Sequence, residues 1–163
     1  MRNRTDLTVL LGEAPKSANR FAFDADSFTT QQIAGALNVD PRYLHKRFWV
    51  MNVFEAPQLP GGRGFDEFPA EDAVREIRRI DFPNLQIVCV GTRVASAMAA
   101  ALEISALPEN RFGTFYPPKR GGEWLLGYIT HPSGRRWTQP DDQGSYLTRE
   151  TQQFLRKASQ ARG

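Results

Sequence analysis

Four short apolar runs, Leu7–Leu11, Phe48–Phe54, Leu85–Val90 and Trp124–Ile129, constrain this chain more than any other feature. Each has strand character, and segments better suited to helices or loops separate them. Gln31–Leu37 is a short helix candidate. Ala70–Arg79 follows Pro69, opens on acidic residues and closes on basic ones, which matches the polarity of a helix dipole. Thr92–Leu102 is rich in alanine and follows a strand and a glycine. Arg149–Ser159 reads as a closing amphipathic helix that frays toward Gly163. Strands alternating with helices imply a parallel sheet covered on both faces. The expectation is one domain over residues 1–163, a three-layer α/β/α sandwich with a central four-stranded parallel sheet. The Gly/Pro-rich stretch Pro57–Pro69 is too short for a domain linker and is expected as a loop over one sheet edge.

Composition narrows the function classes. With 163 residues the chain has room for one real core, and 40% hydrophobic with 24% charged residues is ordinary for a globular domain. No apolar run approaches the roughly 18 residues of a membrane span, and the polar start Met1–Asp6 has no signal-peptide core. A cytoplasmic monomer with no membrane partner is expected. The single cysteine, Cys89, rules out an internal disulfide and any Cys-rich metal or cluster site. Its place in Ile87-Val88-Cys89-Val90 predicts a buried small hydrophobe. His45 and His131 are the only histidines and have no metal-ligand spacing, so no metal and no cofactor are expected. Net charge is only +3, but seventeen of the twenty-one basic residues are arginine, the side chain that grips phosphate in a planar fork. That charge permits nucleic-acid binding without establishing it.

In open α/β sheets, ligands collect at the carboxyl ends of the strands. The segments to watch are therefore Gly12–Lys16, Asn52–Glu55, Gly91–Arg93 and Thr130–Arg136. Gly91-Thr92-Arg93 reads as a tight structural turn into a helix. The other three carry the residue types that bind ligands.

Those segments also bear a family resemblance. Gly12-Glu13-Ala14-Pro15 after the first strand resembles the opening motif of the uracil-DNA glycosylase superfamily. Phe48-Trp49-Val50-Met51-Asn52-Val53 resembles the strand that presents its base-reading asparagine. Gln86–Gly91 is similar to the next central strand with its glycine turn, and His131-Pro132-Ser133-Gly134 to the second signature loop. The likeness runs in order from about Leu7 to Arg136.

The resemblance implies a DNA glycosylase that takes a pyrimidine out of the stack and hydrolyses its N-glycosidic bond. Asn52 would read the base edge, since an amide both donates and accepts. Glu13 would orient water and offset positive charge on the sugar. His131 would stabilise the anionic base, making Glu13, Asn52 and His131 the catalytic set. Gly12, Ala14 and Pro15 would line the base pocket, with Ser133 beside them. Phe28 is the first choice for the aromatic platform and Phe23 the second. Lys16, Ser133, Gly134, Arg135, Arg136 and Trp137 would meet the DNA backbone.

The chain departs from the family at four points. Lys16 stands where a small residue is usual, and Ser17-Ala18-Asn19-Arg20-Phe21 replaces the segment that shapes the base pocket. The cysteines that hold an iron–sulfur cluster in related branches are absent, and the second motif ends Gly134-Arg135-Arg136 instead of on an apolar wedge. Two other readings therefore stay open: a phage-type relative that handles a modified base or nucleotide, and a non-catalytic DNA- or protein-binding module.

Overall fold

The structure, a computed structural model, describes residues 6–13, 23, 25, 27–54, 70–132 and 145–160. Five strands form one sheet: β1 (Val9–Gly12), β2 (Trp49–Asn52), β3 (Gln86–Val90), β4 (Gly113–Phe115) and β5 (Trp124–Ile129). Their order is β2-β1-β3-β5-β4. β1, β2, β3 and β5 are the four expected strands, and they pair in parallel. The expectation of a purely parallel four-stranded sheet needs correcting, because β4 adds an antiparallel edge through Gly113↔Leu126 and Phe115↔Trp124. Three residues are too few for a side-chain period to show in sequence.

Helices α1 (Phe28–Leu37), α2 (Ala70–Arg79), α3 (Thr92–Leu102) and α4 (Arg149–Ala158) connect and cover the strands. α1 begins three residues before the expected start because Ser27 caps it, its hydroxyl accepting from the Thr30 N–H at 3.1 Å. Asn38 ends the helix in the left-handed conformation. A 3-10 turn, Pro41–Lys46, lies between α1 and β2; it carries His45 on the surface. Thr148 caps α4 in the same manner as Ser27 caps α1.

Alternation along the strands builds two cores. Val9, Leu11, Ile87, Cys89 and Leu126 pack with α2 and α3, while Leu10, Val88, Val90 and Ile129 pack with α1 and α4. The result is helices on both faces of the sheet. Cys89 is fully buried, and burial pushes its thiol well above the ordinary range, so it is inert filler as expected. Among the described residues no helix is long and apolar enough to cross a membrane.

Candidate functional site

The site grows from the way four parallel strands end. Gly12, last in β1, is the register partner of Asn52, last in β2. Pairing continues beyond both, with the Val53 N–H donating to the Gly12 carbonyl and the Phe54 N–H to the Glu13 carbonyl, each at 2.9 Å. On the other flank of β1, Leu11 pairs with Cys89, which brings Glu13 level with Gly91. The Gly91 N–H in turn donates to the Ile129 carbonyl at 2.8 Å, two residues before His131. Glu13, Asn52, Gly91 and His131 thus meet at one edge despite their separation in sequence.

Two glycines shape this end of the sheet, Gly12 by leaving room and Gly91 by its backbone conformation. A methyl group on Gly12 would stand 2.6 Å from Asn52 Oδ1 and 3.1 Å from Phe23 Cζ. The bare Cα of Gly12 is therefore what lets the Asn52 amide and the Phe23 ring share the end of β1. Phe23 takes a φ of 54°, a left-handed conformation that a bulky aromatic residue rarely adopts. Gly91 is the second case. Its φ of +104° favours glycine, and the His131 ring lies against it, with Cδ2 3.6 Å from where a Cβ would be.

Glu13 is half-buried at this edge. Burial pushes its carboxyl group above the usual carboxylate range, and the positive charge of Arg93 pulls it part of the way back. Arg93 is the second residue of α3, is itself half-buried, and lines a groove of about 390 Å³ between α2 and α3. The groove's remaining wall is largely Val74, Ala97 and Ala100, with Thr92 and Ser96 supplying hydroxyls. Beyond His131, Thr130 donates from its hydroxyl to Glu109 Oε1 at 2.9 Å, which ties the end of β5 to the neighbouring segment.

Of the residues singled out in the sequence, Gly12, Glu13, Asn52 and His131 lie at the same end of the sheet, with Asn52 against Gly12 and His131 against Gly91. The two candidate aromatics lie apart. The ring placed over Gly12 belongs to Phe23, the second choice, while Phe28 opens α1 and packs edge-on against Tyr146 with ring centroids 5.6 Å apart. Ala14, Pro15, Lys16, Ser133, Gly134, Arg135, Arg136 and Trp137 lie outside the described residues, as does the Pro57–Pro69 loop. Arg93 is the member that sequence reasoning passed over as part of a structural turn. The strand-end rule had already marked it, since it stands two residues past Gly91.

Chemically, this end of the sheet offers an amide with a donor and an acceptor, an aromatic ring, an imidazole, and a partly desolvated carboxylate. Among the described residues no group of three His, Cys, Asp or Glu side chains stands ready to hold a metal ion. In comparisons with known proteins, no family model, no curated protein and no solved structure matches the chain.

Proposed function

We propose that this chain binds a pyrimidine turned out of a DNA strand and hydrolyses its N-glycosidic bond, on a uracil-DNA glycosylase-like scaffold, as a cytoplasmic monomer. The observation that carries this reading is the pairing of the Asn52 amide and the Phe23 ring over the bare Cα of Gly12. A flat base needs a face to stack on and a hydrogen-bonding edge to be read, and here the two lie side by side.

The rest of the edge suits the reaction. The C1′–N bond breaks with its electron pair leaving on the base. Water supplies the new C1′–O bond, and its proton balances the charge of the departing base. A carboxylate at Glu13 orients that water and offsets positive charge on the sugar, and burial strengthens both effects by lowering the local dielectric. His131 donates toward the base oxygen as negative charge builds. The preponderance of arginine over lysine adds support for a phosphate-bearing substrate.

The test is incubation with single- and double-stranded oligonucleotides carrying uracil, hydroxymethyluracil or mismatched thymine, followed by alkaline cleavage at abasic sites. Strand scission at the modified position is the expected result. Tight binding with no scission on any substrate would replace the glycosylase by a base-binding module.

A further inference from the structure

The turn between α1 and β2 carries a charged surface that the candidate site does not use. From Phe28 to Phe54 the sequence has a single carboxylate, Asp40, against Arg42, Lys46 and Arg47. Tyr43, within that turn, is 46% exposed, and two cations are gathered on its ring. Arg42 Cζ lies 5.6 Å and Lys46 Nζ 4.7 Å from the ring centroid. Asp40 holds the Arg42 guanidinium through Nε at 3.1 Å and Nη2 at 2.9 Å, which leaves Nη1 for another acceptor. α4 adds Arg156 and Lys157, both exposed in its last turn. Arg156 Nε donates to the Ala36 carbonyl at 2.8 Å, which sets it beside the end of α1 from which the turn departs. Among the described residues, Lys46, Arg47, Arg156 and Lys157 enter no ion pair. The turn leads into the amino end of β2, where the Trp49 N–H donates to the Thr8 carbonyl at 2.9 Å. We propose that this patch binds the phosphodiester backbone of a nucleic acid, at the end of the sheet opposite the candidate site.

Helix dipoles account for part of this charge, because cations are favoured in a last turn, where Arg156 and Lys157 stand. They do not account for Arg42 near the start of the 3-10 turn, or for an exposed aromatic ring that carries two cations. Cations held on a ring have given up part of their rotamer freedom before a ligand arrives, so an anion bound there costs less in ordering. Five cations beside one carboxylate suit a ligand whose negative charge repeats along its length. Three of the five are arginines, whose planar forks match phosphate. An anionic membrane suits the patch less well. Interfacial binding needs apolar side chains that enter the lipid, whereas Leu44 and Phe48 are buried and Tyr43 carries the cations. The patch belongs to the turn and to α4, outside the strands, and does not rest on the glycosylase reading.

The experiment measures binding of the full-length chain to a fluorescent single-stranded oligonucleotide of unmodified bases, by anisotropy across a salt series. Lys46→Gln plus Lys157→Gln takes one exposed cation from the turn and one from α4. It is expected to weaken binding about tenfold at low salt and to reduce the slope of log affinity against log salt by about 1.4. Arg75→Gln plus Arg79→Gln removes the same net charge from α2, where both arginines are already paired with acids. That second variant is expected to keep the wild-type slope, and melting curves check that both variants are folded. A wild-type chain that does not bind the oligonucleotide overturns the proposal, as does a wild-type slope in Lys46→Gln plus Lys157→Gln. Equal losses in the two double variants would reduce the effect to net charge and also overturn it. Binding to phosphatidylserine vesicles but not to the oligonucleotide would assign the patch to a membrane instead. The probe carries no base to be excised, so each of these failures leaves the glycosylase reading to the base-release assay.

Discussion

The two ends of the sheet treat polar side chains in opposite ways. At the amino-terminal end they are turned inward to close the fold. Gln86 Nε2 donates to Thr8 Oγ1 at 2.8 Å, both residues being buried. Asn84 bridges the same strands, donating to the Leu7 carbonyl and accepting from the Gln86 N–H. Arg120 reaches the Ile80 carbonyl at 2.8 Å and lies over the Trp124 ring, whose own N–H is taken by the Gly121 carbonyl. At the carboxyl-terminal end, Asn52 lies against Gly12 and His131 against Gly91, with Glu13 half-buried beside them in the register. One end uses polarity to satisfy the chain, and in the proposed reading the other presents it to a ligand. On the proposed function, residues of similar chemistry divide between stability and activity according to which end of a strand they occupy.

Four substitutions test that division. The largest effect is expected from Asn52→Ala, with at least about a 100-fold loss of base release, or about 2.7 kcal/mol of transition-state stabilisation, and a nearly unchanged melting temperature. A collapse in stability instead would make Asn52 part of the scaffold. Thr8→Val should do the reverse. It leaves the buried Gln86 amide without its acceptor and costs about 2 kcal/mol, or about 6 °C in melting temperature, with base release untouched at temperatures where the chain is folded. Coupled loss of both properties would show that the two ends are not independent.

Gly12→Ala sharpens the comparison at smaller scale. Its methyl group must displace the Asn52 amide or the Phe23 ring, so about a tenfold loss of base release is expected from misplacing them by a few tenths of an ångström. Equal activity would mean that the Asn52–Phe23 arrangement is not what reads the base. The smallest effect belongs to Glu13→Gln as a stability measurement. Burial raises the Glu13 carboxyl above its ordinary value and Arg93 offsets this only in part, so the folded chain holds this proton more tightly than the unfolded one. The resulting stability is present below the ordinary carboxyl value and is lost as pH rises through the folded value. Glu13→Gln should therefore melt higher than wild type at neutral pH, and the gap should close on acidification. A gap that widens in acid would contradict the burial of this carboxylate.

Much of the scaffold was legible because apolar runs and glycine or proline punctuation are local signals. β5, α2 and α3 fall where the sequence puts them. β4 was not legible, since a Gly-Thr-Phe segment becomes a strand only by lying beside Trp124–Leu126. The start of α1 was missed for a similar reason, because its cap is a hydroxyl reaching a backbone N–H three residues away. Strand-end position named Gly12, Glu13, Asn52 and His131, and the register puts all four at one end of the sheet. That Phe23 and not Phe28 stands next to Gly12 was not legible, since Phe23 takes a left-handed φ that no local pattern announces. Arg93 falls in the segment that reads as a structural turn, and the effect of its charge on Glu13 arises only once β1 lies beside β3.

The far flank of the sheet has its own consequence. Along the outer side of β5, residues 108–110 run parallel to Tyr128, and the chain then reverses at Asn110, which takes a φ of 56°, to pair as β4 in the opposite sense. Gly127 sits under that reversal, and any side chain there would collide with the Arg111 carbonyl. The last strand is three residues long, and the edge behind it changes direction midway. Another chain seeking to extend the sheet would find no continuous ladder of one polarity to add to. The reversal at Asn110, which the bare Cα of Gly127 permits, thus guards this flank against edge-to-edge aggregation, and a substitution at Gly127 would endanger solubility as well as folding.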